Sequence, residues 1–345
     1  MTTEKRINAL VKLGKRMLAE PSPGYNSKLS NAINGAHIYN PWFVPQNVEL
    51  AIASIANQWL NREILESWIA RYPYKKTASA NSKNVGVIMA GNIPLVGFHD
   101  FMCVLLSGHR FMGKASSKDG GLMLTIANML VEVEPELADQ IVISDENLKG
   151  FDAVIATGSD NTSRYFEYYF RNCPTILRSH RNSIAVLTGH ETKTDFENLG
   201  NDIFTYFGLG CRNISKLLVP ENYGFKPLLD SFSDWKNLIN HNKYANNYEY
   251  RRAIFSMNQI PHFDTGFVLV TPSEQIDSPV GTLFYQEYKN LSDVGEYINI
   301  NANKIQCVVG NSKVHPKAIP FGTTQTPAID DYADGIDTVN FLLNL

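Results

Sequence analysis

The stretch YFGLGCRNISKLLVP, residues 206 to 220, sets Cys211 between glycine-bearing turns and an apolar run of strand type. An ionised thiol is a strong nucleophile, so a cysteine held at a tight connection is a candidate for chemistry. The preceding DFENLGNDIFTYF puts Phe196, Leu199, Ile203, Phe204 and Phe207 on one helical face, and Gly208 is expected to stop that helix. Gly210 then allows a second unusual backbone angle, Cys211 follows, and a strand runs to Pro220. Such a connection can hold a sulfur at a cleft while nearby backbone N–H groups face a ligand. The remaining cysteines, Cys103, Cys173 and Cys307, are far apart, with no CxxC pair and no cysteine/histidine spacing of the zinc type. They read as small core residues in a reduced, cytoplasmic protein, with neither a metal site nor a disulfide framework signalled.

The other polar candidates carry less on their own. His99 and Asp100 are adjacent on a helical pattern and so point apart, which favours a cap and surface role over an acid/base pair. His109 follows Gly108 and marks a helix end. Asn92 alone reads as a turn or cap residue, and Lys114 and Lys118 alone as solvated charges. For His180 and Arg181 a cleft role and simple packing stay equally open.

These residues need elements to place them. The first 80 residues are mostly helical, as in NVELAIASIANQWLNREILESWIARY, where Val48, Ile52, Ile55 and Trp59 recur at helical steps; 72 to 84 reads as a loop. VGVIMAG is a strand pattern and LVGFHDFMCVLLSGHR a helix ending at Gly108. RFMGKAS, GLMLTIANMLVEVEPEL, QIVISD, FDAVIATGS and SRYFEYYFRN continue the rhythm of a parallel sheet covered by helices. A second unit begins at SIAVLTG. With 345 residues, 44% of them hydrophobic, two lobes are expected, because single cores stop growing near ~250 residues. A net charge of −3 gives no basic field for nucleic acid. The N-terminal MTTEKRINALVKLGKRMLAE lacks a continuous apolar stretch of signal-peptide type, and nothing approaches the ~20 apolar residues of a membrane span.

The segment VIMAGNIPLVGFHDFMCVLLSGHRFMGKASS resembles the aldehyde dehydrogenase superfamily, most closely its LuxC-type fatty acyl-CoA reductase branch, and the similarity runs from NPWF at residue 40 onward. The resemblance implies an α/β, aldehyde dehydrogenase-like fold of two parallel-sheet domains. Residues 1–80 would form a helical segment packed on the cofactor domain, 81–182 a Rossmann-like NAD(P)-binding domain, 183–320 the catalytic domain, and 321–345 a C-terminal return segment. It also implies Cys211 in GLGC as nucleophile and Asn92 in GNIP as the amide that stabilises the oxyanion. Lys114 in GKASS falls where a lysine contacts the adenosine ribose, and Gly158 and Ser159 in ATGS where a Gly-Ser pair approaches the cofactor. A helix starting near Thr162 would turn its N-terminus to the pyrophosphate. PFGTTQTP, near residue 320, is similar to a loop that closes the catalytic domain.

The departures from the pattern are informative. Leu177, in LRSHRNS, stands where hydrolytic members carry the glutamate that activates water, so water is left without its general base. Ser117, followed by Lys118, replaces the glutamate that binds ribose hydroxyls in NAD-preferring members. A hydroxyl and an ammonium suit a 2′-phosphate, hence NADPH as cofactor, with NADH the alternative. In QIDSPVG, Gln275 stands at the acidic position that holds the nicotinamide ribose. The expected activity is NADPH-dependent reduction of a long-chain acyl-CoA or acyl-protein thioester to the aldehyde through a Cys211 acyl-enzyme. The alternatives are an aldehyde-oxidising dehydrogenase with Glu191 or Glu197 as base, and a catalytically silent subunit binding nucleotide or an acyl-transfer partner. The family further implies a homo-oligomer and an acyl-transferase or synthetase partner.

Overall fold

The structure, a computed structural model, describes residues 1–20, 27–73, 82–158 and 160–345. They form two compact units, the first Met1–Ser179 with Ala328–Leu345, the second His180–Pro327.

In the first unit, helices α1 (Thr3–Ala19), α2 (Lys28–Tyr39), α3 (Pro45–Gln58) and α4 (Arg62–Ile69) bury apolar faces that include Leu10, Leu13, Ile33, Val48, Ile52 and Trp68. Most of the expected loop at 72 to 84 lies outside the described residues. There follow β1 (Asn84–Ile88), α5 (Phe98–Leu106), β2 (Arg110–Lys114), α6 (Leu122–Val133), β3 (Ile141–Ser144), β4 (Ala153–Thr157), α7 (Asp160–Phe170) and β5 (Thr175–Arg178). The strands pair in parallel in the order β3-β2-β1-β4-β5, the βαβ rhythm of the sequence made three-dimensional. The chain leaves β1 toward one edge and returns on the other side at β4, so a switch point opens at the carboxyl ends of β1 and β4.

One expectation fails here. Asp100 is not a surface residue: it is 3% exposed and forms a two-point ion pair with the buried Arg178, at 2.5 and 2.8 Å. The pair draws in Thr338 of the returning C-terminal segment, whose hydroxyl oxygen accepts from Arg178 at 2.9 Å. His99 is half-buried, its Nε2 2.7 Å from the Ile329 carbonyl oxygen and its ring against Trp59, Trp68 and Tyr332. Adjacent helical residues do point apart, but both directions are interior because α5 is apolar all round.

The second unit contains β6 (Asn182–Val186), α8 (Lys193–Phe204), β7 (Ile214–Pro220), α9 (Lys226–Ser231), α10 (Asn242–Met257), β8 (Phe263–Asp264), β9 (Leu269–Pro272), β10 (Thr282–Tyr288), α11 (Leu291–Ile300), β11 (Ile305–Val309) and β12 (Ala318–Ile319). The strand order is β12-β11-β6-β7-β10-β9-β8, parallel except where β8 meets β9. Apolar residues alternate between its faces: Ala185, Leu217, Val219 and Val309 pack under α8 and α9, whereas Ile184, Val186, Leu218 and Val308 pack under α11. The C-terminal α12 (Thr338–Leu343) belongs to the first unit.

Candidate active site

Cys211 lies at the amino edge of the second sheet, in the turn between α8 and β7. α8 begins at a capping box, Thr192 with Asp195. It ends at Phe204, before the glycine that was expected to stop it. The cause is Asn213, 2% exposed, whose amide donates to the carbonyl oxygens of Asp202 (3.1 Å), Ile203 (3.3 Å) and Thr205 (2.8 Å). Those carbonyls lack helical partners, and a side chain that satisfies them acts as a remote C-cap. The left-handed backbone falls at Tyr206 (φ 55°), Phe207 (φ 60°) and Gly208 (φ 75°), and Gly210 is not among the left-handed residues, contrary to expectation. Tyr206 and Phe207 tolerate this strained region because both rings are buried, at 6% and 7% exposure.

Asn213 also grips the loop that carries Cys211. Its Oδ1 accepts from Gly210 N at 2.8 Å, and its backbone N–H donates to Gly210 O at 3.0 Å. The latter bond fixes the peptide that carries the Cys211 N–H. On the other side, Ser183 of β6 donates from Oγ to the Cys211 carbonyl at 3.0 Å. Cys211 and Arg212 are half-buried. The arrangement presents a thiol with its backbone held on both flanks, as nucleophilic attack requires.

Arg181 and Cys307 lie near the same edge, before β6 and in β11. Arg181 donates to the carbonyls of Ala302 (3.3 Å) and Ile305 (3.4 Å), a structural tie, while His180 is exposed. Gln275 is exposed in the segment after β9, its N–H donating to Ser273 Oγ at 3.1 Å. Cys307 is not a packed core thiol: it is half-buried, its sulfur 2.9 Å from Ser183 Oγ. Cys173 is half-buried too, and Cys103 is wholly buried, where burial pushes its thiol well above the ordinary range and leaves it inert. Asp202, which the sequence did not single out, is fully buried, and burial raises its carboxyl above the ordinary value. It accepts from Gly322 N (2.6 Å), Thr324 N (3.0 Å) and Thr324 Oγ1 (2.8 Å), and so pins the PFGTTQTP loop to the last turn of α8.

The cofactor candidates lie in the first unit, at the carboxyl ends of its strands. Lys114 closes β2, its Nζ 2.8 Å from Asn147 Oδ1, and the exposed Ser117 and Lys118 follow it. Gly158 follows β4, its N–H donating to Arg178 O at 3.2 Å. Ser159 lies outside the described residues. α7 begins at Asp160 rather than near Thr162. Asn92 is exposed in the loop after β1. That loop is held by the buried Asn40, whose side chain donates to Gly91 O at 3.1 Å. A Cβ at Gly91 would meet Ser116 Oγ at 2.4 Å and Ser116 Cβ at 2.8 Å, so a larger residue there would push the two loops apart. The close approach keeps the loops after β1 and β2 together, so a hydroxyl and two ammonium groups sit at the carboxyl edge of the sheet. That donor set fits the ribose and phosphate of a nicotinamide nucleotide. Among the described residues, no cluster of histidine, cysteine and carboxylate side chains could hold a metal ion, and no helix is long and apolar enough to cross a membrane.

A Rossmann-like parallel sheet, joined in one chain to a second parallel sheet bearing a cysteine at its amino edge, defines an aldehyde dehydrogenase-like α/β protein. Solved structures agree on the fold. The chain is similar to aldehyde dehydrogenase 21 from Physcomitrella patens, at 12% identity over 100% of this chain and 84% of that one, with a TM-score of 0.70. It is also similar to an NAD-dependent benzaldehyde dehydrogenase from Corynebacterium glutamicum (13% identity, 93% and 80% covered, TM-score 0.66). A mutant propionaldehyde dehydrogenase from the Clostridium phytofermentans fucose utilisation bacterial microcompartment shares 9% identity, with 95% and 82% covered and a TM-score of 0.61. No curated protein matches the chain. Residues 22–224 match the family described as Acyl-CoA reductase (LuxC). The chain belongs to the LuxC acyl-CoA reductase family, and its chemistry is that of an aldehyde-acting oxidoreductase.

Proposed function

We propose that the protein reduces an acyl thioester, carried on CoA or on a protein, to the aldehyde with NADPH, through an acyl group held on Cys211. The observation that carries the reading is Cys211 itself, fixed by Asn213 and Ser183 at the amino edge of the second sheet, in a chain of this family. The Cys211 thiolate attacks the thioester carbonyl; a carbon–sulfur bond forms and the π electrons move to oxygen. The Cys211 N–H, aimed by the Asn213–Gly210 bond, and the Asn92 amide are assigned to that oxyanion. Collapse restores the carbonyl, breaks the bond to the carrier and releases its thiolate, which takes a proton from solvent. Bound NADPH would supply the hydride for the acyl-enzyme carbonyl. The same donors then meet a second oxyanion, whose collapse frees the aldehyde and returns the Cys211 thiolate. Each collapse expels a thiolate, so no strong acid is needed.

Two features support reduction over oxidation to the acid. Leu177, in β5, offers no carboxylate to activate water. Glu191 accepts from Thr188 N and Oγ1 (2.6 and 2.8 Å) and from Gly189 N (3.0 Å), at the carboxyl edge of the second sheet. Cys211 is at the amino edge, five strand residues or ~16 Å away. Glu197 faces Lys193 at 3.4 Å near the far end of α8. Ser117 and Lys118, with no carboxylate between Lys114 and Lys118, favour the 2′-phosphate of NADPH. Gln275 is assigned to the nicotinamide ribose.

The test is mass spectrometry after mixing with a panel of acyl-CoAs without nucleotide. An acyl adduct should appear on the Cys211 peptide, be lost in Cys211→Ala, and convert to free aldehyde when NADPH is added. Absence of an adduct with every thioester, or release of carboxylic acid in place of aldehyde, would overturn the reading.

A further inference from the structure

Ser183 is fully buried, and its hydroxyl oxygen lies 3.0 Å from the Cys211 carbonyl oxygen, 2.9 Å from Cys307 Sγ and 3.2 Å from Cys307 N. A hydroxyl has one proton to donate and two lone pairs that accept. A carbonyl oxygen can only accept, so the Ser183 proton is committed to Cys211. A backbone N–H can only donate, so Cys307 N–H takes one lone pair. The remaining lone pair faces the Cys307 sulfur, which must therefore be the donor, a protonated thiol. The Ser183 hydroxyl is thus saturated, and the direction of each bond is fixed by elimination. Ser215 anchors the strand from behind, its Oγ donating to Ile276 O at 2.7 Å and lying 3.4 Å from Ser183 O.

We propose that Ser183, oriented by the Cys307 thiol, is a positioning residue for the nucleophile. The Gly210–Cys211 peptide is already fixed by Asn213. The Ser183 bond fixes the next peptide plane through the Cys211 carbonyl. With both planes set, the φ and ψ of Cys211 are determined, and so is the direction of its Cα–Cβ bond. Sγ is then left with side-chain rotation alone, a small entropy loss on reaching the attack geometry. A sulfur at 307 that can only accept would compete for the Ser183 proton and release the Cys211 carbonyl. The catalytic meaning of this relay rests on the reading of Cys211 as the acylated nucleophile.

The experiment compares Ser183→Ala, Cys307→Ala, Cys307→Ser and the double variant Ser183→Ala/Cys307→Ala. Two rates are followed on the Cys211 peptide by mass spectrometry: single-turnover acylation by an acyl-CoA, and alkylation by iodoacetamide, with thermal melts confirming folding. Ser183→Ala should slow acylation roughly tenfold, the effect of one hydrogen bond, with half-saturating acyl-CoA unchanged. Cys307→Ala should slow it less, Cys307→Ser should restore the wild-type rate, and Cys307→Ala should add nothing on the Ser183→Ala background. A wild-type rate in folded Ser183→Ala, a Cys307→Ser variant as slow as Cys307→Ala, or multiplying effects in the double variant overturns the relay. Should Ser183→Ala not fold, the Cys307→Ser and Cys307→Ala pair decides. Should the wild type accept no acyl group, the proposed function fails, and the same pattern in the alkylation rates decides the relay.

Discussion

At the scale of single residues, the proposed chemistry depends on the side chains that hold the Cys211 loop. Asn213 uses both ends of its amide, so truncating it strands the carbonyls of Asp202, Ile203 and Thr205 and takes the acceptor from Gly210 N–H, while the backbone bond to Gly210 O remains. Asn213→Ala is expected to lower stability by about 2–3 kcal/mol in chemical denaturation and to slow acylation of Cys211 in the same samples. Cofactor choice also turns on single side chains. A carboxylate at position 117 would repel a 2′-phosphate and accept from ribose hydroxyls. Ser117→Glu should therefore shift the ratio of NADPH to NADH affinity at least roughly tenfold toward NADH, read by fluorescence titration, while leaving acyl adduct formation on Cys211 intact.

At the scale of elements, both units are tied to later segments by buried polar side chains. His109, at the start of β2, accepts from Lys83 N on Nδ1 (3.1 Å) and donates from Nε2 to Leu342 O in α12 (2.8 Å). That tautomer is neutral, and burial holds the imidazole below its ordinary value of 6.5. The unfolded chain therefore binds the proton more readily, and stability rises with pH across this window. It is full above 6.5 and lost as pH falls from 6.5 toward the folded value. Melting temperatures between pH 7 and 5 should fall more steeply for the wild type than for His109→Gln, and equal slopes would refute the assignment. Asp202 plays the corresponding part in the second unit. Asp202→Ala should release the Gly322–Thr324 loop, seen as faster hydrogen exchange there.

At the scale of the whole molecule, the first unit is closed by the last residues of the chain. Trp68 Nε1 donates to Tyr332 Oη at 3.0 Å, and Asp100, Arg178 and Thr338 form a buried group spanning three segments. Asp100→Asn leaves the Arg178 guanidinium buried without its counter-charge, which should cost about 3–5 kcal/mol, measured by chemical denaturation. Removing Ala328–Leu345 should melt the first unit early while the second, whose cores draw on none of those residues, keeps its own transition. A single unchanged transition would contradict that division.

Local sequence was enough for the alternation of strands and helices, the parallel sheet of the first unit and the position of Cys211 between a helix and a strand. Each follows from local periodicity and from glycine and proline punctuation, which act over a few residues. The end of α8 carries no local signal, because its stop comes from the amide of Asn213, 8 to 11 residues beyond the carbonyls it caps, and not from a glycine. Tertiary packing puts Asp100 in the interior, lets Ser183 hold Cys211 across 28 residues and brings Cys307 to Ser183 across 124. The physical reason is that a short polar side chain has no periodic signature. Its partner is chosen by which strands and loops become neighbours, and that choice exists only once the sheets have assembled.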